Sequence, residues 1–327
     1  MAQSTAAIEA PRLTLKHCSV EEHCLALCDA RRLPYWFHTG TSRVFGNFSL
    51  PVRDADGRWW FSPRPGLAWL VDCYAAVGRG GARPPLSGSF LAYQHVVPDA
   101  EQANSQLVIN TVVDVPSYGP ASVPLKRRNG IRKSLKNCVV ERLAGRDAEA
   151  LEHCRQAWND LTQRTGWRHT AERAEFHNTF TRMMELPGVS VIVGRDRESG
   201  QVAGFNMVKV IGDTAYVDTI ASRTDMLKLR VNEALMYTFV ANAALVPGVQ
   251  KAHYAIKSYV AALEDFKQGV GFVPTPFPAY TRFRGPTGLL LRTLFKDKYR
   301  RMMGQFDTAP TPAETAGGPA EPESASG

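Results

Sequence analysis

The second half of the chain carries the clearest alternation of apolar and polar positions. Cys138 to Leu143 contains the β-branched pair Val139 and Val140 and reads as a short strand that Gly145 ends. Asp147 then supplies an N-cap, and Leu151, Cys154, Trp158 and Leu161 recur at helical spacing until Gly166 stops the helix. A second helix over Ala171 to Leu186 puts Phe176, Phe180 and Met184 on one stripe and breaks at Pro187 and Gly188. Three strands follow as a meander, Val189 to Val193, Val202 to Val210 and Thr214 to Ile220, with turns around Glu198-Ser199-Gly200 and Gly212-Asp213. A long helix over Met226 to Val246, with Leu227, Val231, Leu235 and Phe239 four apart, ends at Pro247 and Gly248. Strand Ala252 to Ile256, helix Val260 to Gln268 and strand Phe272 to Phe283 complete the run. A meander followed by strand–helix–strand crossovers predicts an α+β fold, a mixed sheet with helices on both faces.

The first half is less regular. Val44 to Leu50 and Trp59 to Ser62 read as strands around the turn Asp54-Ala55-Asp56-Gly57, Gly66 to Val77 reads as a helix, and Ser89 to Val96 and Gln106 to Val115 read as strands. This pattern is consistent with a second, eroded copy of the same architecture. The expected organisation is a disordered N-terminus (1–11), a degenerate domain (12–120), a basic inter-domain helix (121–137), a complete domain (138–284), a basic amphipathic C-terminal helix (285–307) and a disordered tail (308–327). Two folded domains suit a length of 327 residues. The tail, made of Pro, Ala, Glu, Gly, Ser and Thr, has too little apolar surface to offset its ordering entropy.

Charge and cysteine content narrow the picture. Lys plus Arg number 39 against 31 Asp plus Glu, and the tail holds three glutamates and no cation, so the positive excess belongs to the folded part. Six cysteines without zinc-ribbon spacing point to reduced thiols in a cytoplasmic protein, and Cys24 and Cys28 beside His23 lack a second ligand pair, so no metal is expected. Cys154, on the stripe with Trp158, reads as a buried structural thiol rather than a nucleophile. No stretch of eighteen apolar residues is present.

The cations concentrate at Lys126, Arg127, Arg128, Arg132, Lys133 and Lys136, interrupted by Ile131 and Leu135. On a helix, Arg128, Arg132 and Lys136 share a face while Ile131 and Leu135 dock on the sheet. Such a face is either simply solvated or contacts a polyanion. Pro286 to Met303 repeats the theme: Leu289, Leu290, Leu294 and Phe295 oppose Arg292, Lys296, Lys298, Arg300 and Arg301, a pattern that allows peripheral contact with an anionic membrane.

The element order over Cys138 to Arg284 resembles the GNAT acyltransferase fold, with a ferredoxin-like or other α+β sheet as the alternative. The stretch Val112-Val113-Asp114-Val115, then Arg127-Arg128-Asn129-Gly130-Ile131-Arg132-Lys133-Ser134-Leu135-Lys136, then strand Val139 to Arg142, looks like the inter-domain region of Fem-type aminoacyl transferases, the paired-GNAT group that includes peptidoglycan aminoacyl transferases. Asn47-Phe48-Ser49-Leu50-Pro51 with Trp60-Phe61-Ser62-Pro63-Arg64, and Phe266-Lys267 with Gly271-Phe272, are similar to further parts of that group. The resemblance implies two GNAT-like domains in tandem, the first degenerate. It also implies transfer of an acyl group from a thioester or an aminoacyl-tRNA ester to a primary amine, without metal or covalent intermediate.

By position in that fold, main-chain groups of Ile220, Ala221 and Ser222 would grip the acyl carbonyl, and Arg223, Lys228 and Arg230 would clamp the phosphates of a donor. The segment from Ser222 to Arg230 contains no glycine, although close backbone approach to a diphosphate usually needs one, which counts against an acetyl-CoA site of the usual kind. Asp225 reads as the N-cap of the following helix. Strand alternation places Tyr216, Asp218 and Ile220 on one face, with Asp218, flanked by apolar neighbours, as candidate base. Tyr254 and Lys267 are candidate acids, since Phe266 and Lys267 stand where GNAT enzymes often carry a tyrosine; Lys267 reads equally as a surface residue. The expected function is N-acyl transfer from acyl-CoA or an acyl-carrier protein to a small-molecule or peptide amine. Fem-like use of aminoacyl-tRNA and a non-catalytic binding module are the alternatives.

Overall fold

A computed structural model describes residues 8–29, 50–145, 147–166, 170 and 172–306. Eleven strands form one continuous mixed sheet: β1 (Val52–Arg53), β2 (Trp59–Arg64), β3 (Leu67–Leu70), β4 (Ala92–Val96), β5 (Ser105–Val112), β6 (Cys138–Arg142), β7 (Val189–Asp196), β8 (Val202–Ile211), β9 (Thr214–Ser222), β10 (Lys251–Ile256) and β11 (Val273–Phe283). Their order is β1-β2-β3-β4-β11-β5-β10-β9-β8-β7-β6. The last strand therefore lies between β4 and β5, and the two halves of the chain share one sheet. Pro274, Pro276 and Pro278 alternate along the part of β11 paired with β5 alone, where a missing N–H on the open side removes no ladder bond.

The helices are α1 (Val20–Asp29), the single turn α2 (Leu86–Ser89), α3 (Leu125–Asn137), α4 (Ala148–Thr165), α5 (Arg173–Glu185), α6 (Val231–Ala243), α7 (Ala261–Gly269), α8 (Thr287–Leu294) and α9 (Lys296–Met302). Local chemistry fixes α4 as the sequence indicates: the Asp147 carboxylate accepts from the Glu149 and Ala150 amides, and Gly166 closes the helix in the left-handed region. On one face of β6–β9, α4 and α5 bury Cys154, Trp158, Phe176 and Phe180 against Phe205 and Met207. On the other, α6 and Ile131 of α3 pack on Val208, Val210 and Val217. Gly194 and Gly204 leave the hollow that Val231 enters at the start of α6; a Cβ on Gly204 would lie 2.6 Å from the Ala221 carbonyl.

Three expectations are corrected. Gly66 to Val77 is not helical: Gly66 turns the chain at φ +77°, and Leu67–Leu70 joins the sheet between β2 and β4. The helix expected from Met226 begins at Val231, after a 3-10 segment over Thr224–Leu229, and Asp225 caps nothing but pairs with Arg223. The single C-terminal helix is two, broken at Phe295, whose backbone leaves the helical region. The expected strand at Val44, the motif residues Asn47 to Ser49 and the tail from Thr308 lie outside the described residues.

Candidate functional site

The sheet opens between β9 and β10. These parallel strands pair at Lys251 with Thr214, Ala252 with Ala215 and His253 with Tyr216, and there the pairing ends, although β9 runs on to Ser222 and β10 to Ile256. Two local distortions produce the split. Asp218 is an extra residue in β9, because Met207 and Val208 of β8 pair with Thr219 and Val217. In β10, Ala255 sits at φ +56°, where the register with β5 also shifts between His253 and Ile256. A left-handed alanine costs roughly 1–2 kcal/mol, strain of the kind that collects at functional positions.

The bulge overturns the expected common face of Tyr216, Asp218 and Ile220. Ala215 and Val217 face α6, and so does Ile220, while Ala221 turns to the α4–α5 side. Inserting one residue resets the period-2 alternation. Tyr216 and Asp218 instead line a cavity of about 340 Å³ together with Lys209, His253, Cys73 and Trp69. Asp218 is not flanked by apolar groups alone, as Lys209 Nζ lies 2.5 Å from its Oδ1. The cavity adjoins a second, of about 380 Å³, beneath α8 and α9; Pro63, Trp69, Leu107 and Ile256 line both.

Tyr254 and Lys267 occupy the opposite face of β10. Tyr254 packs on Phe272, and Lys267 is 2% exposed, so it is no surface residue. Its ammonium donates to Glu264 Oε1 at 2.9 Å and lies 5.2 Å from the Tyr254 ring. Glu264 Oε1 also accepts from the Ser258 amide at 2.8 Å and Asn110 Nδ2 at 3.2 Å. Burial pulls the Lys267 pKa down while Glu264 opposes the shift, and burial pushes the Tyr254 phenol up. The proposed catalytic four therefore flank the split from its two sides, Tyr216 and Asp218 on one, Tyr254 and Lys267 on the other.

The basic helix α3 borders the Lys267 side. Arg127 pairs with Asp265 of α7, Ile131 is fully buried, and Ser134 Oγ donates to the Arg230 carbonyl at 2.8 Å. Lys126, Lys133 and Lys136 are exposed; Arg128 and Arg132 are half-buried, Arg128 donating to the Val123 carbonyl and Arg132 to Asn129. This same packing fills the place where a CoA diphosphate was expected. The Thr224 amide donates to Asp160 Oδ2 at 2.6 Å, Arg223 is held by Asp225 and Gln201, and Arg230 by Glu233. Gly130 of α3 approaches so closely that a Cβ would lie 2.6 Å from Glu233 Oε2. Of the expected clamp, only Lys228 has no ion-pair partner among the described residues. The turn does not fit a CoA diphosphate.

Sequence reading missed Cys73, Tyr74, Thr111, Lys209 and the cavity role of His253. The only local signal was the pair Cys73-Tyr74 inside a segment read as helix. Among the described residues no group of three or more His, Cys, Asp or Glu is placed to hold a metal, and no helix is long and apolar enough to cross a membrane.

Neither protein-family models nor curated protein sequences give a match to this chain. Solved structures do. FemX aligns over 88% of this chain and 99% of its own at TM-score 0.50 and 11% identity. The C-terminal domain assigned to a lysylphosphatidylglycerol synthetase from Agrobacterium fabrum aligns over 88% and 99% at TM-score 0.51 and 12% identity. The fold is a Fem-type, paired-GNAT fold. Identities this low carry the architecture and leave the substrate to be argued from the site.

Proposed function

We propose that the chain is a transferase that moves an aminoacyl group from a tRNA ester to a primary amine at the β9–β10 split. The observation that carries this reading is the two-sided opening: a cavity on one face, and on the other a buried lysine beside a basic helix. A polyanionic donor suits the face bordered by Lys126, Lys133 and Lys136, because exposed cations gain affinity by releasing phosphate counterions. The acceptor, a small-molecule or peptide amine, occupies the cavity. Its neutral nitrogen attacks the ester carbonyl, the N–C bond forms, Asp218 takes the ammonium proton, and the C–O bond breaks as the ribose oxygen takes a proton from Lys267. Main-chain groups of Ile220, Ala221 and Ser222 at the unpaired edge of β9 are placed for the carbonyl, and Lys267 offers positive charge from the donor side.

The filled turn at Ser222 to Arg230 counts against acyl-CoA; an acyl-carrier protein, whose thioester arm enters without a bound nucleotide, remains the thioester donor to compare. The exposed Leu289, Leu294 and Phe295 beside Arg292, Lys296 and Lys298 support peripheral contact with an anionic lipid surface. The test measures transfer to amine acceptors from aminoacyl-tRNA, acyl-carrier protein and acyl-CoA, with wild type and Asp218→Asn. Transfer from aminoacyl-tRNA alone, reduced about 10²–10⁴-fold in the variant, is expected. Transfer from acyl-CoA overturns the donor assignment, and no transfer from any donor leaves a binding module.

A further inference from the structure

His253 stands at the last position where β10 pairs with β9, on the wall of the cavity, with its ring 5.2 Å from that of Tyr216. The protons around it can be followed one by one. Thr111 gives its hydroxyl proton to the Ala252 carbonyl at 2.8 Å and receives the Tyr74 phenol proton at 3.1 Å. Tyr74 therefore has no proton left for His253 Nδ1, 3.3 Å away. Cys73 Sγ lies 3.5 Å from the same nitrogen, and burial holds that thiol protonated by pushing its pKa up. Burial also pulls the imidazole down to about 3, with Lys267 adding to the shift, so the ring is neutral and carries one N–H. If Nδ1 accepts from Cys73, the protons of Cys73, Tyr74 and Thr111 all have a destination, and the Nε2–H is left free for a ligand. In the other tautomer the Nδ1 proton points at the Cys73 and Tyr74 side, the thiol must turn to the Tyr216 hydroxyl, and Nε2 offers only a lone pair, which has no partner among the described residues.

We propose that the Cys73 thiol holds His253 in its Nε2–H form, and that this N–H donates to the acyl carbonyl as an amine in the cavity attacks it. A neutral donor suits the step. It adds no charge to a cavity that already holds the Lys209–Asp218 pair, and it strengthens its bond only as the oxygen becomes an anion. Cys73 is here a positioning residue. The carbonyl role rests on the transferase reading above, whereas the tautomer does not.

The test uses the full chain with ¹⁵N-labelled histidine. One of the eight histidines, identified by its loss in His253→Gln, is expected to show a protonated Nε2 and a bare Nδ1. Cys73→Ala should mix the two tautomers, and Cys73→Ser, which keeps a donor, should restore the single form; a merely structural cysteine would move neither. Protonation at Nδ1, or an unchanged tautomer in Cys73→Ala, overturns the proposal. In aminoacyl transfer, His253→Leu should lower kcat about 10²–10³-fold at little cost in KM, while His253→Gln, with an amide N–H, keeps most of the rate. Equal losses in the two variants overturn the donor role. A wild type that transfers nothing removes the transferase reading and the donor role with it, and the tautomer measurement still decides whether Cys73 sets the ring.

Discussion

The two faces of the β9–β10 split bury polar groups by opposite means. On the cavity face, Cys73, Tyr74, Thr111 and His253 pass neutral hydrogen bonds to one another and end on the Ala252 carbonyl. On the opposite face, Lys267 and Glu264 are buried as an ion pair, tied to Ile256, Ser258 and Asn110. A neutral network can lose a member at modest cost, since each remaining group needs only a partner. A buried charge has no such tolerance, because the survivor of a broken pair keeps its full desolvation penalty. The cavity face carries charge too, in the Lys209–Asp218 pair, but that pair remains partly exposed whereas Lys267–Glu264 does not.

The sharpest way to break this contrast is Lys267→Met. It leaves Glu264 buried and unpaired, and a stability loss of about 3–5 kcal/mol is expected in urea unfolding, with Lys267→Met/Glu264→Gln recovering a large part. Cys73→Ala, on the other face, should cost less than half as much; equal losses would show that the two sides do not differ. Gly204→Ala comes next. Its Cβ would meet the Ala221 carbonyl at 2.6 Å and Val231 at 2.9 Å, and since one of these is main chain, the sheet or α6 must shift, at about 1–3 kcal/mol. No measurable change would mean that α6 does not sit on β8 as described.

Acid sharpens the comparison from the cavity side. The unfolded chain binds a proton at His253 near pH 6.5, the folded chain only near 3, so the stability contribution is complete above about 6.5 and is lost as pH falls toward 3. The slope approaches about 1.4 kcal/mol per pH unit between those values. His95, His153 and His177 are shifted the same way by burial and add to the wild-type slope. His253→Gln should therefore flatten the dependence between pH 6.5 and 5 without abolishing it, and identical slopes would place the ring in water.

The strand and helix order of residues 138–283 was legible because each element there has a clean period and explicit stops, such as Asp147 and Gly166 around α4. The site was legible only in part. Strand alternation puts Tyr216, Asp218 and Ile220 on one face, and the first two do line one cavity, but a bulge adds a residue without any change in composition, so Ile220 faces α6. Gly66 to Val77 misled because Leu67, Leu70 and Tyr74 fall at helical spacing, whereas β4 offers Leu67–Leu70 a parallel partner that decides the matter. Cys73 and His253 are 180 residues apart and meet only through the sheet order, which no local pattern encodes.

The smallest effect on stability is expected at the C-terminal helices, and there the comparison turns outward. Leu289 and Leu294 are 67% and 68% exposed, and their helix contacts water along a face that also carries Arg292 and Thr293. Leu289→Ser/Leu294→Ser removes apolar surface that folding does not bury, so the unfolding free energy should change by no more than about 0.5 kcal/mol. If that face rests on an anionic lipid surface, the same variant should lose co-sedimentation with phosphatidylglycerol vesicles while wild type retains it at low salt and releases as ionic strength rises. Equal sedimentation of the two proteins would leave the apolar face without a lipid role, since Arg292, Lys296 and Lys298 alone would then account for the attraction.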